Sequence, residues 1–100
     1  MEKDIQKACL DYLKAMGIFH YRQNTGRRGG VSYGTPGAPD IVIVFDGVYI
    51  GLEIKQPGKK LSEKQKEFKD KLLRAGGEWW TVDRFEQLLL FLGEKCQGKN

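Results

Sequence analysis

Three charged residues in the middle of the chain have the types and the spacing of a hydrolytic metal site. Asp40 directly precedes an apolar run over 41–45, and Glu53 and Lys55 stand one residue apart at the end of a second run over 48–55. Two carboxylates that share a site repel each other unless a cation lies between them. Oxygen ligands of this kind suit Mg²⁺ or Mn²⁺, which retain water and share phosphate oxygens of a substrate. A lysine beside such a site can orient or deprotonate a water, or stabilise charge on a phosphate.

A predicted β-hairpin brings these three residues together. The pair Asp46-Gly47 separates the two apolar runs, which is a strong hairpin signature. Folding about that turn places Asp40 opposite Glu53, where Cβ atoms approach within about 5 Å. Because side chains alternate along a strand, Glu53 and Lys55 project from the same face. The alternative interpretation is a strand start at Asp40 and a salt bridge between Glu53 and Lys55, but the convergence of all three favours the metal site.

The rest of the sequence predicts one small α/β domain in the order α-β-(loop)-β-β-α-β-α, a mixed sheet with helices on its faces. The elements are a helix over 2–16, strands over 18–23, 41–45, 48–55 and 78–82, a helix over 62–75 and a last helix from the N-cap Asp83 to Leu92. The segment 24–39 contains five glycines and is predicted to be a long functional loop. We expect the domain to span 1–93 and the tail 94–100 to be frayed.

Composition excludes several classes of protein. The 100 residues, 40% of them apolar, suffice for one core. The longest apolar run covers 41–45, far below the roughly 20 residues of a membrane-spanning helix. No signal pattern begins the chain, so we expect a cytoplasmic protein with no membrane association. Cys9 and Cys96 form no CxxC pair, which argues against a disulfide scaffold or a zinc site. The glycine-rich segment lacks GxxxxGK[ST] and GxGxxG, so no nucleotide cofactor is expected.

Positive charge is concentrated in one part of the chain. The net charge is +4, and residues 55–74 alone hold eight basic and three acidic side chains, so the remainder is slightly negative. A localised basic face is typical of proteins that bind polyphosphates such as DNA, although an ordinary solvated lysine-rich helix has the same composition. The candidate DNA contacts are Lys59, Lys60 and Lys64, together with Arg27 and Arg28 in the loop.

The sequence Gly-Ala-Pro-Asp at 37–40, followed after twelve residues by Glu-Ile-Lys at 53–55, resembles the signature of PD-(D/E)xK nucleases. More narrowly, it is similar to the virus-type replication-repair nuclease (VRR-NUC) domain, and the resemblance covers 2–82. It implies a restriction-endonuclease-like αβββαβ core, with a mixed four-stranded sheet flanked by helices and an extra C-terminal helix. It also implies that Asp40, Glu53 and the backbone carbonyl of Ile54 bind the metal, and that Lys55 serves the attacking water.

The same resemblance implies two further site residues. Glu2 matches an acidic residue that the family often adds from the first helix, with Gln6 a weaker match one turn later; a favourable charge at the helix N-terminus explains Glu2 equally well. Gln65 matches a glutamine on the helix after the lysine strand. Ser62 and Gln65 also have the spacing of a capping box, and both roles can hold together.

These inferences combine into a Mg²⁺-dependent endodeoxyribonuclease in which Mn²⁺ substitutes and the number of ions, one or two, is open. Small stand-alone members of the family resemble homodimeric Holliday-junction resolvases, so we expect a homodimer that cuts branched DNA, with a dimer surface that includes Tyr33, one of Trp79 and Trp80, and Phe91. A bacterial or phage-infected cell is the expected source, with a eukaryotic origin left open. The alternatives are a nicking or restriction-like nuclease on ordinary duplex, or a catalytically silent DNA-binding module.

Overall fold

A four-stranded sheet with helices on both faces forms the centre of the computed structural model, which describes residues 2–23, 26–28 and 31–97, without the side chains of 26–28, 31–33 and 97. The elements are α1 (Glu2–Ala15), β1 (His20–Arg22), β2 (Gly26–Arg28), β3 (Val31–Tyr33), β4 (Ile41–Phe45), β5 (Val48–Ile54), α2 (Glu63–Arg74), β6 (Glu78–Val82) and α3 (Phe85–Gln97). The sheet order is β1-β4-β5-β6, antiparallel except between β5 and β6. The predicted mixed four-stranded architecture is confirmed.

The β4–β5 hairpin has the predicted register. Asp46 and Gly47 both adopt positive φ, 57° and 79°, which a tight two-residue turn between twisted strands requires. The ladder runs from the pair Phe45 and Val48 to the pair Ile41 and Leu52. Continued by one residue, this register places Asp40 opposite Glu53.

The two faces of the sheet are covered differently. One face packs against α1 and α3 around a closed apolar core that includes Leu13, Leu52 and Leu88, each fully buried. The other face is covered by α2, which is the crossover between the parallel strands β5 and β6. Because side chains alternate along β5, Glu53 projects toward α2 while Leu52 and Ile54 belong to the closed core.

Two predicted boundaries are wrong. The segment 24–39 is not loop throughout, since β2 and β3 pair antiparallel within it. Residues compatible with strands flank a Gly-Gly pair in the sequence there, which is a hairpin pattern. The last helix continues to Gln97 instead of ending at Leu92, because Lys95 on its final turns forms an ion pair with Glu78 of β6. Residues 94–97 are therefore helical, and 98–100 lie outside the described residues.

The predicted dimer surface is wrong for the tryptophans. Trp79 and Trp80 are both buried, because each face of the sheet has a helix to receive one of them. Trp79 packs against Phe68 of α2 with ring centroids 6.1 Å apart, and Trp80 stacks on Phe91 of α3 at 5.0 Å. The side chain of Tyr33 lies outside the described residues. Within the described ranges, no helix is both long and apolar enough to cross a bilayer.

Candidate active site

Asp40 closes the open end of the β4–β5 hairpin with its side chain. Its Oδ2 accepts a hydrogen bond of 2.9 Å from the backbone N–H of Ile54, across from the start of β4. Its own carbonyl accepts a 2.9 Å bond from the N–H of Gln23, which follows β1. The carboxylate is therefore held against β5, on the side where Glu53 projects.

Glu53 is a buried carboxylate with one oxygen satisfied and one not. Its side chain lies between the sheet and α2, and the residue is only 3% exposed. Oε2 accepts a 2.8 Å hydrogen bond from Nε2 of Gln65. Oε1 is buried and has no hydrogen-bond partner among the described residues. A buried carboxylate oxygen left in this state is costly, and a cation, a proton or a water could satisfy it.

Gln65 connects this carboxylate to the start of α2. Its Oε1 accepts from the backbone N–H of Ser62 at 2.8 Å, while the Ser62 hydroxyl accepts from the N–H of Gln65 at 3.1 Å. The predicted capping box is thus present. Because the Ser62 N–H can only donate, it fixes the amide with its oxygen toward the cap and its nitrogen toward Glu53. One amide serves both the helix and the carboxylate.

Lys55 lies directly after β5, next to Glu53 on the same side. Its Nζ is 3.9 Å from Oε2 of Glu53, and its side chain is 21% exposed. At this distance the pair is a long ion pair rather than a hydrogen bond, so Lys55 does not satisfy the carboxylate. The ammonium group can therefore contact a water or a phosphate that lies next to Glu53.

The pKa values of the two carboxyl groups, Glu53 and Asp40, are both raised. Burial first, and then the charge of Asp40, raises the pKa of Glu53 from its ordinary 4.5 to about 7, against the opposing effects of Lys55 and of the Asp40 N–H. Burial also raises the pKa of Asp40, with Glu2 adding to the effect and the Ile54 N–H opposing it. Strongly perturbed carboxyls in such a setting are typical of functional sites.

A divalent cation fits the residues present. The donors are the carboxylates of Asp40 and Glu53 and the backbone carbonyl of Ile54, all oxygens, as Mg²⁺ and Mn²⁺ prefer. Glu2, exposed at the first turn of α1, lies near enough to raise the pKa of both carboxyls. No group of three acidic, histidine or cysteine side chains converges among the described residues, so Glu2 is not positioned here as a third side-chain ligand. Gln6 is half-buried one turn further along α1.

The segment before Asp40 is held by close packing that the sequence interpretation missed. Gly37 adopts a positive φ of 80°, and a Cβ on it would overlap the backbone carbonyl of Lys64 on α2. Pro39 is fully buried. The signal in the sequence was the glycine itself, since glycine is favoured where the chain adopts a positive φ or where two backbones approach closely.

The predicted DNA contacts lie in two segments, one after β5 and one before β4. Lys59 and Lys60 are exposed in the connection from β5 to α2, and Lys64 is exposed on the first turn of α2, 4.0 Å from Glu67. Arg27 and Arg28 belong to β2, but their side chains lie outside the described residues.

Comparison with known proteins identifies the fold. No protein-family model matches the sequence, and no curated protein matches it significantly. Among solved structures, the chain is similar to one described as a VRR_NUC domain, with a TM-score of 0.70 and 22% sequence identity, covering 92% of this chain and 94% of that one. The chain therefore has the fold of a VRR-NUC domain, as the resemblance in its sequence predicts.

Proposed function

We propose that the protein is a metal-dependent DNA endonuclease of the PD-(D/E)xK type. The observation that carries this proposal is the pair of the half-buried Asp40 and the buried Glu53, with Oε1 of Glu53 unpartnered among the described residues and with Lys55 beside it. Two carboxylates placed this close repel each other, and a bound cation would relieve that repulsion. The similarity to a VRR_NUC domain supports the same function.

Each residue has a role that its position supports. Asp40, Glu53 and the carbonyl of Ile54 would hold Mg²⁺, which would supply Lewis-acid stabilisation of charge on the phosphate. Gln65 donates to Oε2 of Glu53 and would leave Oε1 for the metal. Lys55 would contact the attacking water or a phosphate oxygen. The water oxygen would bond to phosphorus and release a proton to solvent, while the bond from phosphorus to the sugar oxygen breaks and that oxygen takes up a proton.

Recognition of DNA shape fits this chain better than base readout. The three helices of the described residues all contact the sheet or each other, so none of these three is free to enter a groove. The exposed Lys59, Lys60 and Lys64 would contact phosphates, which position DNA without reading its sequence.

We extend the proposal to branched DNA and a homodimer, since one copy of the site makes one cut and a junction resolvase needs two symmetric cuts.

The test is cleavage of a matched set of DNAs: a four-way junction, a flap, a splayed arm and a linear duplex. With Mg²⁺ we expect paired cuts in the junction, no cleavage in EDTA, and a loss of about 10²-fold or more in Lys55→Ala. Cleavage of duplex alone would leave a nicking or restriction-like nuclease. Binding of DNA without any cleavage in Mg²⁺ or Mn²⁺ would contradict the nuclease proposal.

Light scattering tests the homodimer separately. We expect twice the monomer mass at micromolar protein, and two protomers per bound junction. A monomer in both states would exclude the resolvase and leave the nuclease proposal standing.

A further inference from the structure

Strand β5 has no side chain at the position two residues before Glu53 on the same face, where Gly51 stands. We propose that Gly51 is a positioning residue for Asp40: its missing side chain admits the Pro39 ring, which holds the Asp40 carboxylate on the backbone N–H of Ile54. The consequence for catalysis rests on the proposed nuclease function, whereas the positioning itself does not.

Pro39 and Leu72 occupy the space into which a side chain at position 51 would project. A Cβ placed on Gly51 would lie 2.8 Å from Cγ and 3.3 Å from Cβ of Pro39, and 3.4 Å from Cδ2 of Leu72. The Pro39 ring is fully buried and rigid, so it cannot turn away as a flexible side chain would. Any side chain at position 51 must therefore displace Pro39 or the strand.

The backbone of Gly51 does not itself require glycine. Its φ is not among the positive values that favour glycine in this chain, which include those of Gly37 and Gly47. Glycine within a strand is unfavourable because it has no side chain to pack and loses more conformational freedom on folding. The reason for glycine here is therefore the close approach of Pro39.

Displacement of Pro39 would directly change the position of Asp40 in the candidate site. Pro39 is bonded directly to Asp40, whose Oδ2 is 2.9 Å from the N–H of Ile54 and whose carbonyl accepts from Gln23. Ile54 is also the residue whose carbonyl is the third proposed ligand. A shift of the proline ring by a few tenths of an ångström would thus change the separation of two ligands that must match one small cation.

Gly77 offers a matched control for the test. A Cβ there would overlap Cδ1 of Leu72 and lie 3.1 Å from the carbonyl oxygen of Tyr49, so it also crowds the packing of α2 on the sheet. It precedes β6, whose first residue pairs with Ile50, three positions before Glu53. Gly77→Ala should therefore destabilise the fold without touching Asp40.

The experiment compares Gly51→Ala with Gly77→Ala at matched thermal stability. The readouts are the amide resonance and hydrogen exchange of Ile54, the affinity for Mn²⁺ alone measured by electron paramagnetic resonance, and cleavage of the best DNA substrate. In Gly51→Ala we expect the Ile54 amide to shift and exchange faster, and Mn²⁺ affinity and cleavage to fall at least tenfold. Gly77→Ala should keep wild-type values. Equal effects in both variants, or an unchanged Ile54 amide in Gly51→Ala, would overturn the proposal.

A double variant covers the case in which Gly51→Ala does not fold. Pro39→Ala removes the Cγ atom that a new Cβ would meet, so Pro39→Ala with Gly51→Ala should fold and recover more Mn²⁺ affinity than Pro39→Ala alone. No recovery in the double variant would contradict the contact. If the wild type neither binds Mn²⁺ nor cleaves DNA, the proposed function fails, and the Ile54 amide still decides the role of Gly51.

Discussion

An aspartate flanks strand β4 at each end, and the two aspartates differ in backbone conformation, in exposure and in the residues that they contact. Asp46, in the hairpin turn, is exposed and adopts a φ of 57°, which aspartate tolerates better than most residues. Asp40, at the open end, is half-buried, and its Oδ2 accepts from Ile54 of the facing strand. Local backbone geometry accounts for the first aspartate, but not for the second.

The difference lies in what each aspartate faces. Asp46 is exposed beside Gly47, whereas Asp40 lies opposite Glu53, a carboxylate that is buried and has one oxygen unpartnered among the described residues. An amide in place of either acid would remove the repulsion between the two carboxylates, and at position 40 its oxygen could still accept from the Ile54 N–H. The comparison supports the proposal that the open end of the hairpin binds a cation, whereas the turn end sets the fold of the hairpin.

Removing either acid of the candidate site should have the largest effect. Asp40→Asn and Glu53→Gln should each lower cleavage by about 10²–10³-fold or more, because each removes the charge of a carboxylate that would hold the metal at the reacting phosphate. Asp46→Asn should cleave at the wild-type rate, since asparagine suits the same turn. Initial rates in saturating Mg²⁺ measure this, and near-wild-type cleavage by either site variant would remove that residue from the site.

Stability of the metal-free protein should fall as pH rises. The pKa of Glu53 is about 7 in the folded protein and 4.5 ordinarily, so between these values the folded state binds more protons than the unfolded state. The contribution of Glu53 to stability is therefore fully present below pH 4.5 and is lost as the pH rises toward 7, by on the order of 3 kcal/mol, since one pKa unit corresponds to about 1.4 kcal/mol.

Urea unfolding in EDTA at pH 5 and pH 8 measures this decline. Glu53→Gln should flatten it and be the more stable protein at pH 8, whereas Asp46→Asn should keep the wild-type slope. A wild-type protein that gained stability across this window would show that Glu53 is not held in a crowded, buried setting.

The two roles of Gln65 can be separated. Gln65→Met and Ser62→Ala each break the capping box and should each cost about 1 kcal/mol of stability. Gln65→Met also removes the donor to Oε2 of Glu53, so it alone should lower cleavage, by several-fold. Cleavage that fell equally in both variants would mean that Gln65 acts only through the helix.

The smallest expected effect concerns the exposed lysines. Replacing Lys59, Lys60 and Lys64 by Gln should weaken DNA binding and flatten its dependence on salt, because fewer counterions are released. The matched control replaces three exposed basic residues elsewhere on the described chain, namely Lys7, Lys14 and Arg84. Salt titrations by fluorescence anisotropy measure the slopes, and equal slopes in both triple variants would place the DNA on another face.

The parts of the fold that sequence predicts well are those fixed by local chemistry. The Asp46-Gly47 turn sets the hairpin register, and with it the opposition of Asp40 and Glu53. Ser62 and Gln65 set the start of α2 in the same way. The resemblance to VRR-NUC domains is confirmed at the level of the fold.

What sequence did not predict depends on contacts between distant segments. The burial of both Trp79 and Trp80 requires a helix on each face of β6. The end of α3 is held by the ion pair between Lys95 and Glu78 of β6. The ring of Pro39, just before β4, packs against Gly51 of β5, and no local sequence pattern specifies this contact. In each case the deciding neighbour lies elsewhere in the chain.

Binding of Mn²⁺ to the free protein tests the central claim, that Asp40 and Glu53 form a cation site, most directly. Electron paramagnetic resonance at pH 8 should detect bound Mn²⁺ in the wild type and in Asp46→Asn, displaced by excess Mg²⁺. The signal of bound ion should be lost in Asp40→Asn, although that variant stays folded. Equal Mn²⁺ binding by Asp40→Asn and the wild type would contradict the account.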